Sequence, residues 1–149
     1  MISIRPATIN DREVLIGFQE KLAFESENVT LDRSLLTNGM TRLLQDSAKG
    51  IYYIVEDDRI PIGCHLITYE WSDWRDGMVW WLQSVYVAES HRSRGIFRMM
   101  YDNIMSMINN DPELIGLRLY VDKSNAKAMK VYAAMGMNGE HYTVYEWMK

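Results

Sequence analysis

Val85-Tyr86-Val87-Ala88-Glu89-Ser90-His91-Arg92-Ser93-Arg94-Gly95-Ile96-Phe97 is the stretch on which the fold turns. It closes an apolar run that begins at Met78, passes through a short basic segment containing a glycine, and opens a helical period. From Phe97, apolar residues recur at Met100, Tyr101, Ile104 and Ile108, one face of a helix. The order predicts a strand over 78–87, a loop, and a helix over 97–109 that Asp111-Pro112 stops. The start of a helix exposes unpaired backbone N–H groups and the positive end of its dipole. A glycine there lets the backbone approach a phosphate closely. Arg92 and Arg94 add positive charge, and His91 adds more when protonated. The segment therefore suits a bound anion, a pyrophosphate in particular. A solvated basic turn is the other reading, and spacing alone does not separate the two.

Beyond the helix, Leu117, Leu119 and Val121 alternate with Arg118 and Tyr120, which predicts a half-buried strand over 115–121. Strand, helix and strand then form a crossover unit with parallel neighbours. Asn125 opens a last helix through Ala128, Met129, Tyr132 and Met135, with Gly136 at the place of a left-handed cap. Residues 141–148 read as a final strand. In the other direction, 51–56 and 60–70 read as a hairpin about Asp57-Asp58, and Trp71 to Gly77 as a loop. Earlier still come a strand over 2–7, a helix capped by Asn10 or Asp11 with Val14, Phe18 and Leu22 on one face, and a second helix. That second helix runs through Leu31, Leu35, Leu36, Met40, Leu43 and Leu44. The order β-α-α-β-β-β-α-β-α-β predicts an α/β (mixed α+β) fold. Its central twisted sheet has six or seven strands and helices on both faces. No repeat or linker divides the chain, so one domain over 1–149 is expected.

The 149 residues carry a net charge of −4, 48% hydrophobic and 24% charged residues, values of a globular chain. No basic stripe points to nucleic acid, and no apolar run is long enough to span a bilayer. Neither a Walker A nor a G-x-G-x-x-G pattern occurs, so ATP and dinucleotide sites are not expected. His65, His91 and His141 lack the spacing of metal ligands, and no metal is expected. The one cysteine, Cys64, rules out an intrachain disulfide and reads as a small buried hydrophobe. A cytoplasmic location is the simplest expectation. Met99, Met100, Met105 and Met107 give their helix more apolar surface than one core stripe needs. Core filling and a homodimer face are the two readings of that excess.

Two segments together carry a resemblance. Arg92-Ser93-Arg94-Gly95-Ile96-Phe97 resembles the Q/R-x-x-G-x-G/A pyrophosphate loop of the GNAT superfamily of acyl-CoA-dependent N-acetyltransferases. Asn125-x-x-Ala128-x-x-x-Tyr132-x-x-x-Gly136-Met137 resembles that family's second signature, and the order of elements resembles its fold over nearly the whole chain. The loop ends in Phe97 where the family has Gly or Ala. Its amide supplies the same N–H, and its ring is expected to turn into the core.

The resemblance implies acetyl-CoA as co-substrate and an amine acceptor. It implies that the strand before the loop splays from its parallel neighbour. The backbones of Val85, Tyr86 and Val87 then hold pantetheine, and the amides of Arg92, Ser93, Arg94, Gly95, Ile96 and Phe97 hold the pyrophosphate. Asn125 corresponds to a cofactor contact, and is equally suited to capping its helix. Tyr132 corresponds to the general acid, since a phenol near pKa 10 can protonate a leaving thiolate. Related enzymes carry an acidic base where this chain has Gln83, so Glu70 becomes the candidate base. Trp71 and Trp74 suit a cationic acceptor through cation–π contact, and Phe24 and Glu25 at the end of the first helix are further acceptor candidates. The activity implied is transfer to a primary amine of a small molecule. A non-catalytic acyl-CoA-binding domain and a protein acetyltransferase are the alternatives.

Overall fold

The computed structural model describes all 149 residues. Two compact units divide the chain, Met1–Arg118 and Leu119–Lys149.

The first unit contains β1 (Ile2–Pro6), α1 (Arg12–Glu27), α2 (Arg33–Leu44), β2 (Ile51–Asp57), β3 (Ile60–Ser72), β4 (Gly77–Val87), α3 (Ile96–Asn110) and β5 (Leu114–Arg118). The strands form one sheet in sequence order. β1 to β4 pair antiparallel, and β4 pairs with β5 in parallel, as the crossover unit requires. The expected β2–β3 hairpin forms, and β3 runs through Trp71 to Ser72, further than its sequence signals indicated.

Helices cover both faces. Tyr52, Ile54, Cys64, Leu66 and Tyr86 pack with Leu15, Ile16 and Phe18 of α1 and Met40 of α2. Val55 and Ile62 pack with Ile96 and Met100 of α3 on the other side. Tyr52 to Val55 are all buried, as a strand covered on both faces must be. Met100, Ile104 and Ile108 form the buried stripe of α3, while Met99 stays partly exposed. The sulfur of Met107 lies 3.6 Å from the Tyr53 hydroxyl, so this methionine meets the sheet.

Asp11, one of the two expected caps, holds the N-cap position of α1 but makes no side-chain cap bond there, and Thr8 caps the 3₁₀ turn that precedes the helix. Thr8 accepts from the Asn10 amide, and Asp11 reaches back to the Thr8 amide at 2.7 Å. Arg5 of β1 grips both oxygens of Asp11 at 2.9 Å and reaches Glu56 of β2 at 2.7 Å. That cation holds the Asp11 carboxyl down to about 2.

The second unit contains α4 (Ala126–Ala134). Gly136 follows it at φ +88°, the expected left-handed end. The sheet has five strands, not six or seven, and the final strand over 141–148 does not form. Tyr142, Val144, Tyr145, Trp147 and Met148 are all exposed. Their β-branched and aromatic character is strand-like, but a strand is completed only by a neighbour's hydrogen bonds, and no ladder includes these residues. The observed order is β-α-α-β-β-β-α-β-α.

Candidate active site

β4 outlasts its parallel partner. The β4–β5 ladder pairs Met78 with Leu114, Val79 with Gly116, Trp80 with Leu117 and Trp81 with Arg118, where β5 ends. Leu82 to Val87 continue with no β5 residue opposite. A strand that loses its neighbour keeps a row of backbone donors and acceptors on that side.

The same stretch is irregular against β3. Cys64 pairs with Tyr86 and Leu66 with Gln83, so His65 alone faces Ser84 and Val85. This bulge puts Ser84 at φ +52°, a costly conformation for a residue with a β-carbon. Buried groups back it. The Tyr52 hydroxyl reaches the Ser84 side chain. The Cys64 thiol lies 3.8 Å from the Ser84 carbonyl and accepts from the Gln19 amide of α1 at 3.5 Å. Burial pushes that thiol up to about 12, so it stays protonated.

A one-turn 3₁₀ segment, Glu89–His91, leads from β4 into the basic turn. Ser93 has φ +61° and Gly95 φ +76°, and α3 starts at Ile96. The first helical bond is Met99 N–H to Gly95 O, so the amides before it project from the helix start. An added β-carbon on Gly95 would have no atom within 4 Å, so the space over the turn is open. Phe97 packs against the α3-side core, as its place in the loop required.

Arg92 is engaged within the protein. Its Nε donates to the Val87 carbonyl at 2.9 Å, its Nη2 meets Glu25 of α1 at 2.5 Å, and its guanidinium lies 5.6 Å from the centre of the Tyr86 ring. The end of α1 and the β4 exit thereby share an open cavity of about 560 Å³ lined by Lys21, Glu25, Tyr86 and Ser90.

The acceptor candidates separate. Trp71 pairs with Met78 at the start of β4, and Trp74 follows in the exposed turn. The basic loop leaves from Val87, roughly 30 Å along the strand at about 3.3 Å per residue. Phe24 is exposed. The Gln83 amide donates to Thr68 at 2.6 Å. Both oxygens of Glu70 are occupied: Trp81 Nε1 donates to one at 3.0 Å and Arg118 to the other at 2.5 Å. Sequence reasoning passed over Thr68 and Ser84, and gave Arg118 no role beyond its strand. Alternation puts Thr68 with Glu70, and Trp81 with Gln83, on one strand face each, but the register that joins them is not a local signal.

In the second unit, Asn125 caps α4 by accepting from the Ala128 amide at 3.1 Å. Tyr132 is partly buried, and burial raises its phenol further above neutrality.

The sequence profile of the acetyltransferase (GNAT) family matches residues 19–137. The chain belongs to this family. A crystal structure of a possible acetyltransferase from Clostridium difficile 630 matches with a TM-score of 0.94 and 37% identity, over 100% of this chain and 98% of that one. A predicted acetyltransferase with acetyl-CoA from Clostridium acetobutylicum matches at TM-score 0.76 and 16% identity, over 98% and 96%. AAC(6')-Iy, in complex with the bisubstrate analog CoA-S-monomethyl-acetylneamine, matches at 0.79 and 17%, over 100% and 99%. The latter two share the GNAT fold. No match is found among curated proteins. No helix is long and apolar enough to cross a membrane.

Proposed function

We propose that this GNAT protein transfers an acetyl group from acetyl-CoA to a primary amine of a small molecule by direct attack of the amine on the thioester. The open edge of β4 between the Trp81–Arg118 pair and the Gly95 turn carries this reading. An extended pantetheine needs a strand edge with unpaired backbone groups. A pyrophosphate needs amides at a helix start with no side chain in the way. Both features lie on consecutive segments of one chain.

Bound acetyl-CoA supplies the acyl group as a thioester, open to a neutral amine. In the proposed site, Val85, Tyr86 and Val87 hold the pantetheine arm, and an N–H of this edge stabilises the oxyanion formed as the amine adds. The amides from Arg92 to Phe97 hold the pyrophosphate. Tyr132 and Asn125 are assigned by their motif positions. Tyr132 gives its proton to the departing thiolate, and the new amide's extra proton leaves to water. Glu25, Phe24 and Gln83 are the acceptor-side residues we retain. Trp71 and Trp74 are set aside because they stand at the other end of β4.

A small acceptor is favoured by a cavity of about 430 Å³ between α2 and the sheet, floored by Tyr52 and Leu66. That volume is of small-molecule size. Its floor residue Tyr52 is the one that reaches Ser84 in the bulge. Release of free thiol from acetyl-CoA, measured across a panel of small amines and lysine peptides, tests the assignment. Turnover with a small amine supports it. Acetyl-CoA binding without turnover on any acceptor would instead establish a non-catalytic domain.

A further inference from the structure

Glu70 stands where the sheet forks. It projects from β3 and accepts hydrogen bonds from Trp81 of β4 and Arg118 of β5. Those two donors are also each other's cross-strand partners, in the last pair before β4 and β5 separate. One carboxylate therefore ties three adjacent strands at the point where the ladder ends. The contact is diagonal, because Glu70 lies opposite Val79 while Trp81 lies opposite Thr68. The next diagonal pair along the strands, Thr68 with Gln83, repeats the pattern on the same face.

The geometry points to Glu70 as a positioning residue that sets the β4–β5 fork, and not as the base that deprotonates the acceptor. A base must turn a lone pair to the acceptor, whereas each oxygen of Glu70 is already directed at an N–H of the neighbouring strands. Arg118 gives a charge-assisted bond to one oxygen, and the indole donates to the other. What the arrangement does is pin the last paired residues. β5 is short and half-buried along its length, so its end would otherwise fray or zip further along β4. Fraying would loosen the open edge, and zipping would close it. This inference rests on the proposed use of that edge for acetyl-CoA.

The test compares Glu70→Gln, Arg118→Met, the double variant and Arg118→Lys. It reads acetyl-CoA affinity by calorimetry, kcat and KM by thiol release against pH, and amide hydrogen exchange without ligand. Under the clasp reading, Glu70→Gln and Arg118→Met each weaken acetyl-CoA binding about tenfold. The double variant is then no worse than the poorer single, because both remove one interaction. Arg118→Lys recovers part of the loss. The rising limb of the kcat/KM profile survives in Glu70→Gln, and exchange speeds up at 79–81 and 114–118 in both single variants. The reading is overturned if Glu70→Gln loses about a hundredfold or more in kcat and the rising limb with unchanged acetyl-CoA affinity while Arg118→Met is unaffected. Multiplicative losses in the double variant would also overturn it. If the wild-type protein does not bind acetyl-CoA, the proposed function fails and the exchange data alone decide the clasp. Faster exchange in both variants supports it, and unchanged exchange removes it.

Discussion

The imidazole of His65 lies flat on the phenol ring of Tyr53, with centroids 5.0 Å apart and planes 9° from parallel. The ring is fully buried, and neither nitrogen has a hydrogen-bond partner. His65 is also the β3 residue that faces the Ser84–Val85 bulge, so the unpaired imidazole sits directly behind the irregular part of β4.

Burial pulls the folded-state pKa of His65 from 6.5 down to about 4. The unfolded chain takes up the proton first as pH falls, so stability is complete above 6.5 and drains away towards 4. A shift of this size corresponds to about 3 kcal/mol. His65→Phe keeps the stack and removes the unpaired nitrogens. Denaturant unfolding at pH 7 and 4.5 is expected to show most of that acid loss in the wild type and little in the variant. The Asp11 carboxylate, held at about 2, contributes its own loss only below its usual range near 3.8. An acid response identical in both proteins would refute the assignment to His65.

Cys64 is expected to be inert in the folded protein. It is buried, and its thiol is pushed up to about 12. A thiol reagent at pH 8 should leave the native protein unlabelled and react fully in denaturant. Rapid native labelling would show that the α1–β3 core opens.

Gly95→Asp separates binding from folding. The residue sits at φ +76° with open space above it, so the substitution costs about 1–2 kcal/mol of backbone strain and creates no clash. It also places an anion over the helix start. Calorimetry should show acetyl-CoA affinity reduced more than tenfold, with only a few degrees lost in Tm. Unchanged affinity would remove the pyrophosphate from this turn.

Glu25 competes for the same charge. It holds Arg92 at 2.5 Å, so Glu25→Gln should release positive charge towards a bound pyrophosphate. Acetyl-CoA affinity is expected to rise about threefold at low salt, with the difference vanishing near 0.5 M. Weaker binding in the variant would mean that Glu25 instead holds Arg92 in its working position.

Tyr132→Phe should lower kcat about a hundredfold and leave the acetyl-CoA dissociation constant within twofold. The raised phenol pKa keeps Tyr132 protonated at neutral pH, so its loss should not shift the profile below pH 9. An undiminished rate would exclude it as the acid.

Much of this protein was legible in the chain itself, because the signals are local. The 3.6-residue period of Met100, Ile104 and Ile108 gave α3, and alternation with turn residues about Asp57-Asp58 gave the hairpin. Gly95 marked the start of α3 by the conformation it permits. The two signatures named the family, which the profile match over 19–137 then established. Tertiary structure alone decided the features that depend on which residue of one strand lies opposite which residue of another. The end of the β4–β5 ladder at Trp81 and Arg118 is one. The two-against-one bulge at His65 is another, and the occupation of both Glu70 oxygens is a third. Residues 141–148 show the same limit in reverse. Their β-branched and aromatic residues suit a strand, yet pairing is a property of two segments, and this one is exposed and enters no ladder.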